Sequence, residues 1–150
     1  MTDTEFQYVT YIAATPQRIW DALLRAEFTR RYWGHDNVSD WKPGSKWEHK
    51  ESDSGAVRLV GKVVEFDPPK RLVITWADPA EAANPSANSR VTFLLEPIED
   101  MVRLTVKHDG LIPGSNMDQG IRSGWPRVLS SLKSYLETGK PLATWAKATT

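Results

Sequence analysis

The chain has 150 residues, no cysteine, and 19 basic and 19 acidic side chains, so its formal net charge at pH 7 is zero. This balance argues against nucleic acid or a membrane surface as a partner, and the lack of cysteine excludes disulfides, thiolate nucleophiles and Fe–S clusters. At this length we expect one domain, residues 1–150. No apolar run reaches the roughly 18 residues of a membrane span, and the polar N-terminus is unlike a signal peptide, so we expect a cytoplasmic protein.

The first part of the chain predicts one strand followed by two short helices. β-branched and aromatic residues indicate a strand over Phe6–Ala13. Thr15 followed by Pro16 is typical of a helix N-cap and first helical residue. A second helix is predicted over Glu27–Trp33, and turn-forming residues follow between Asp36 and Gly44.

From residue 45 onwards apolar residues alternate with polar ones, which indicates consecutive antiparallel strands. They are predicted over residues 45–51, 57–66, 71–77, 89–97 and 101–109. Gly61 inside the second of these strands indicates a bulge or a close approach of another group. Residues 78–88 are rich in Ala, Asn, Pro and Ser and are expected to form a long mobile hairpin loop.

The last predicted element is an amphipathic helix that ends at Gly139, ahead of Pro141. Pro126 has no N–H for the helical ladder, so two starts remain open: near Met117 with a kink at Pro126, or near Ser123. The apolar positions recur at steps of three and four and form one wide face: Ile121, Trp125, Val128, Leu129, Leu132, Tyr135 and Leu136.

A helix face of this width needs a broad apolar surface to cover. We therefore predict an α+β fold in which a curved antiparallel sheet of six to seven strands wraps around the long C-terminal helix. Such a sheet rarely closes completely, and the cavity left between helix and sheet is a common site for a small molecule.

Four segments in this order resemble one known family. They are Ile12–Pro16 with Ile19–Leu23, then Arg31–Gly34, then Gly61–Glu65 with Pro68–Trp76, and finally the helix from Gly124 and Trp125 to Gly139. Together they resemble homologues of the activator of the heat-shock-protein ATPase, within the START-like (SRPBCC, birch-pollen-allergen-like) superfamily. The resemblance implies a helix-grip fold and a pocket but no reaction, because this family shares no catalytic residues. Pro126, directly after Trp125, departs from the family pattern.

Candidate binding residues follow from where such a fold places its cavity, and most are aromatic. We expect the ligand to be bound by Trp33, Trp47, His49, Trp76, Phe93, His108, Ile121 and Trp125. Trp145, in the tail, is expected to be exposed or to contact a second copy.

Three functions remain open, and binding of a small hydrophobic or aromatic molecule is preferred, with His49, His108 or Arg103 orienting it. The alternative is an enzyme, namely a cyclase, hydratase or hydrolase of an aromatic or polyketide-like compound, with His49, His108 or Glu51 as general acid or base. The third is a co-chaperone-like protein that regulates a heat-shock ATPase, although the composition offers no support for a chaperone partner.

We expect neither a cofactor nor a metal. The sequence lacks a Gly-x-Ser-x-Gly nucleophile elbow, and the separations of His35, His49 and His108 match no metal-ligand spacing. A homodimer stays open.

Overall fold

The computed structural model describes residues 4–142, which form a seven-stranded antiparallel sheet and three α-helices. In space the strands follow the order β1-β7-β6-β5-β4-β3-β2, so β1 and β2 form the two edges. The predicted α+β class and strand number are confirmed. The strand bounds are β1 Phe6–Ile12, β2 His35–Ser39, β3 Lys46–Glu51, β4 Val57–Asp67, β5 Arg71–Trp76, β6 Ser89–Ile98 and β7 Met101–Asp109.

One face of the curved sheet carries the core. In β7, every second side chain is buried, as the alternation predicted: Val102, Leu104, Val106 and His108. The residues between them are half-buried on the opposite face. The buried face therefore has the predicted orientation, and it faces the helices.

Two short helices follow β1, and their buried side chains belong to the same core. Helix α1 spans Pro16–Leu24, and the Thr15 hydroxyl caps it by accepting the N–H of Arg18 at 3.2 Å. Helix α2 spans Ala26–Tyr32. The ring of Trp20 packs against Phe66 of β4 with 5.5 Å between ring centroids, so α1 is anchored to the sheet.

The long helix α3 spans Asn116–Thr138 and continues through Pro126, so the predicted start near Met117 is confirmed and the start near Ser123 is wrong. Its N-cap is Ser115, and Gly139 ends it in the left-handed conformation with φ 81°. The predicted apolar face is buried except for the half-buried Tyr135. Within residues 4–142, none of the helices is both long and apolar enough to cross a membrane.

Two segments differ from prediction. Strand β2 lies where turns were predicted, because its polar residues find partners that a turn would not offer: the side chain of Asp36 accepts from Arg30 and Ser52. The loop 78–88 contains two short 3-10 turns, Pro79–Glu81 and Pro85–Ala87, each capped by the side chain that precedes it.

Candidate ligand-binding cavity

A cavity of about 870 Å³ lies between α3, the sheet and two loops. Its size is within the range of about 300–1,000 Å³ that is typical of small-molecule sites. Helix α3 contributes Met117, Gly120, Ile121, Gly124, Trp125 and Val128, and the sheet side contributes Trp33, His35, His49, Leu59 and Trp76. The loop 78–88 and residues 110–115 close the remaining sides.

One wall of the cavity is a continuous cluster of aromatic rings. Trp125 is at its centre, with ring centroids 5.6 Å from Trp33, 5.3 Å from Trp76 and 5.7 Å from Phe93. His49 extends the cluster, 4.5 Å from Trp33. The residues nominated from sequence, other than Ile121, therefore meet in one place although they come from the C-cap of α2, four strands and α3.

The structure divides the nominated residues into two groups. Trp33, His49, Trp76, Ile121 and Trp125 line the cavity, whereas Trp47, Phe93 and His108 do not and lie behind its wall. All three of the latter are buried. Five of the eight nominated residues thus lie at the cavity, and the other three pack behind the rings that face it.

Trp47 is drawn away from the cavity by a hydrogen bond across the sheet. Its indole Nε1–H donates to the backbone carbonyl of Thr75 on β5 at 2.7 Å, passing over Gly61 of the intervening strand β4. A Cβ at residue 61 would overlap both the Thr75 carbonyl oxygen and the Trp47 nitrogen. The close approach predicted at Gly61 is therefore present, and it is what fixes Trp47.

His108 is held by a directional chain of hydrogen bonds. The Trp125 indole N–H can only donate, so His108 Nδ1, 3.0 Å away, must accept and the imidazole carries its proton on Nε2. That Nε2–H then donates to Ser89 Oγ at 2.7 Å, and the Ser89 hydroxyl donates to the Trp76 carbonyl at 2.9 Å. The chain joins α3, β7, β6 and β5 inside the core.

This arrangement makes His108 a structural group. Burial lowers its pKa to about 3, against the opposing effect of the Asp118 carboxylate. Both ring nitrogens are already hydrogen bonded, and protonation of Nδ1 would place two donors against each other. His108 is therefore unsuited to the role of general base that the sequence left open for it.

Within residues 4–142, His49 is hydrogen bonded through one ring nitrogen. Asn37 donates its amide to the Leu23 carbonyl at 3.0 Å, which turns Asn37 Oδ1 towards His49 Nδ1, 2.6 Å away. Nδ1–H is therefore the donor, and Nε2 carries the lone pair. Burial and, secondarily, repulsion from His35 lower the pKa of His49 well below its usual 6.5. The ring of His35 stacks on it at 4.4 Å.

Two further polar candidates lie outside the cavity. Arg103 falls between the buried Val102 and Leu104 on β7, so strand alternation places it on the outer face, where it pairs with Glu96 at 3.1 Å. Glu51 pairs with Arg58 at 2.6 Å, and hydrogen bonds from Ser54 and Arg58 lower its pKa. Neither Arg103 nor Glu51 is among the residues that line the cavity, so the position of neither supports the role considered for it.

Some residues of the site were missed at the sequence level. Asn37 was assigned to a turn, Ser89 was given no role, and His35 was weighed only as a metal ligand. Gly120 and Gly124 lie one helical turn apart on the cavity side of α3, and at these two positions they leave open space, since nothing lies within 4 Å of a Cβ at either. Their spacing of four, on the face next to Ile121 and Trp125, was a signal available in the sequence.

Trp76 carries the buried side-chain nitrogen that has no hydrogen-bond partner within residues 4–142. Over the same residues no three His, Asp or Glu side chains converge as metal ligands would. Trp145 lies outside the described residues.

A curved antiparallel sheet that grips a long C-terminal helix around a cavity is the helix-grip arrangement of START-like (SRPBCC) proteins. The family model described as "Activator of Hsp90 ATPase homolog 1-like protein" matches residues 13–137, and the chain belongs to this family. The resemblance found in the sequence is thus confirmed.

Solved structures share this fold. The Aha1 dimer from Colwellia psychrerythraea is similar with a TM-score of 0.76 and 23% identity, over 91% of this chain and 98% of that chain. A protein of Mesorhizobium loti is similar with a TM-score of 0.71 and 25% identity, over 88% of this chain and 97% of that chain. An HSP90 activator from Plasmodium falciparum is similar with a TM-score of 0.72 and 22% identity, over 93% of this chain and 99% of that chain. No curated protein matches the sequence.

Proposed function

We propose that the protein binds a small hydrophobic or aromatic molecule in the cavity between α3 and the sheet. The observation that carries the proposal is the cavity itself, about 870 Å³ in volume and walled by the rings of Trp33, Trp76 and Trp125. Burial of an apolar ligand there would contribute about 25 cal/mol for each Å² removed from water. Stacking on an indole would add roughly 0.5–1.5 kcal/mol.

The glycines of α3 support the same function. A helix that only had to cover the sheet would gain stability from alanine at Gly120 and Gly124, by about 0.5–1 kcal/mol at each position. Here both positions line the cavity and leave it open. The helix thus provides room for a ligand at a cost to its own stability.

The experiment is to fill the cavity from the helix. Gly124→Leu would project a side chain into it, and Ser123→Leu adds the same side chain at the preceding, exposed position of α3. We expect Gly124→Leu to weaken the binding of anilinonaphthalene sulfonate at least tenfold, measured by probe fluorescence, while Ser123→Leu leaves it unchanged. Circular dichroism checks that both variants are folded. Equal affinity in both variants and the wild type would place the probe elsewhere and remove the support for this proposal.

The enzymatic alternative has weaker support. Both nitrogens of His108 are occupied, Glu51 lies outside the cavity, and the lowered pKa of His49 makes its ring a weak base. A cyclase, hydratase or hydrolase would need one of these groups to move protons at neutral pH.

We also propose two protein–protein interactions, one with a chaperone and one between two copies of this chain. The fold is shared with an HSP90 activator and with a dimeric Aha1 protein, and this likeness is what supports them. Light scattering after size-exclusion chromatography tests the dimer, and a pull-down with a purified heat-shock ATPase tests the partner. A monomer at all concentrations, or no retained ATPase, would count against each in turn.

A further inference from the structure

Two imidazoles line the cavity, those of His35 and His49, and within residues 4–142 each is hydrogen bonded through Nδ1. His35 is half-buried and can be hydrated, so the acceptor that depends on a ligand is the buried one, His49. His49 is only 3% exposed and lines the cavity, and within residues 4–142 its one hydrogen bond is made by Nδ1. Within the same residues, the side-chain nitrogen that is fully buried and has no hydrogen-bond partner is Nε1 of Trp76. Nε2 of His49 also has no partner but is not fully buried. Nε2 of His49 is therefore accessible, and the space it opens onto is the cavity.

The tautomer makes Nε2 an acceptor. Asn37 Oδ1 fixes the proton on Nδ1, and the Leu23 carbonyl fixes the orientation of the Asn37 amide. Position 49 thus presents a neutral imidazole with a lone pair, held rigidly by a network that reaches α1. A donor on the ligand would complete the hydrogen bonding of this ring, whereas an acceptor at the same point would leave it without a partner.

We propose that the ligand is an aromatic molecule with a neutral hydroxyl group, such as a phenol, which donates its O–H to His49 Nε2 while its ring lies against Trp33 and Trp76. This inference rests on the proposed binding function and assigns the chemical class of the ligand. His49 is then the residue that determines specificity, and the surrounding indoles supply most of the affinity.

The choice of ligands makes the test sharp, because apolar burial alone favours the molecule without a hydroxyl. Naphthalene, 2-naphthol and 2-methoxynaphthalene share one ring system, and only 2-naphthol can donate a hydrogen bond. We expect the wild-type protein to bind 2-naphthol about five- to tenfold more tightly than either of the others, as one additional hydrogen bond allows. Equilibrium dialysis measures all three affinities.

Two variants locate the effect. His49→Phe keeps a ring but removes the acceptor, and we expect it to abolish the preference for 2-naphthol while naphthalene still binds. His35→Phe removes the other imidazole at the cavity, so a preference lost in this variant and kept in His49→Phe would assign the acceptor to His35 instead. A second readout does not need a variant that folds: with ¹⁵N-labelled histidine, the Nε2 resonance of His49 should move on addition of 2-naphthol but not of naphthalene.

The outcomes separate this inference from the function on which it rests. If none of the three compounds binds, the proposed binding function loses its support. If all three bind and naphthalene binds as tightly as 2-naphthol, the cavity is a binding site and the assignment of a hydroxylated ligand is overturned. A preference that survives in His49→Phe would overturn the role of His49.

Discussion

Trp125 and His108 join the long helix to the sheet through one hydrogen bond between two buried side chains, 3.0 Å from indole nitrogen to Nδ1. Trp125→Phe would remove the donor and leave a buried acceptor unpaired. We expect a loss of about 1–3 kcal/mol in the free energy of unfolding beyond the effect of the smaller ring. Urea denaturation measures this loss.

The control for that experiment is Trp20→Phe, which makes the same ring truncation at another buried tryptophan, one without a described hydrogen bond from its indole. Equal losses in the two variants would mean that the bond to His108 contributes nothing to stability.

The free energy of unfolding should decrease as the pH is lowered through a range set by the two buried histidines. His49 and His108 stay neutral in the folded state while the unfolded chain protonates them near pH 6.5, so acid favours unfolding. Each contributes a slope of up to about 1.4 kcal/mol per pH unit below that value. The carboxyls of Glu51, Asp118 and Glu137 have lowered pKa values and titrate at more acid pH, so the range between about pH 6.5 and 4.5 belongs to the histidines.

Urea unfolding at several pH values checks this prediction. His108→Gln should reduce the slope by the share of one histidine, because the amide does not titrate. A wild-type stability that is flat across the window would contradict the burial of neutral imidazoles.

Gly61→Ala should be strongly destabilising for its size. The new Cβ would overlap the Thr75 carbonyl and the Trp47 indole nitrogen and force apart the bond that crosses β4. We expect a loss of about 1–3 kcal/mol or more in thermal or urea unfolding. Gly120→Ala is the contrasting variant, because an open helical position should gain about 0.5–1 kcal/mol. If the two substitutions changed the free energy of unfolding in the same direction, the crowded site at Gly61 and the open site at Gly120 would not differ as described.

Leu132→Ala tests the packing of α3 on the sheet. Leu132 is 0% exposed, and truncation of such a residue costs about 2–5 kcal/mol. Val64→Ala, at a position on β4 that is 40% exposed, should change stability by no more than about 0.5 kcal/mol. A loss in Leu132→Ala as small as that of the control would place the helix elsewhere.

The loop 78–88 should be the first site of limited proteolysis. Its residues are almost all exposed, and its hydrogen bonds are mostly local, such as those from Asn88 to the carbonyls of Ala82 and Asn84. Since the loop also lines the cavity, a bound ligand should slow the cleavage. Amide exchange as slow in this loop as in β5 and β6 would contradict the prediction.

Periodicity predicted most of the fold because the strands and α3 are strongly amphipathic. The alternation in β7 and the three-and-four spacing in α3 each identify a buried face without knowledge of the partner. Strand β2 was missed for the opposite reason. Asp36 and Asn37 are turn formers by composition, and only their distant partners, among them Arg30, Leu23 and His49, make them part of a strand.

The sequence predicted that the aromatic residues of the candidate site lie together, but it did not predict which of them face the cavity. Aromatic residues on the buried face had to lie near one another, which brought Trp33, Trp76 and Trp125 together. Whether a ring faces the cavity or the core depends on contacts across strands. The bond from Trp47 to Thr75 and the chain through His108 are of that kind, and neither leaves a local pattern in the sequence.

The two halves of α3 differ in how readily they can open. The half that borders the cavity contains Gly120 and Gly124 and then Pro126, which gives no N–H to the helical ladder, whereas the following half buries Leu129 and Leu132 completely. Local opening should therefore begin at the cavity end while the far end holds the core, and amide hydrogen exchange along the helix should be graded accordingly. One wall of the cavity can then give way to an entering molecule on the timescale of local fluctuations, without global unfolding.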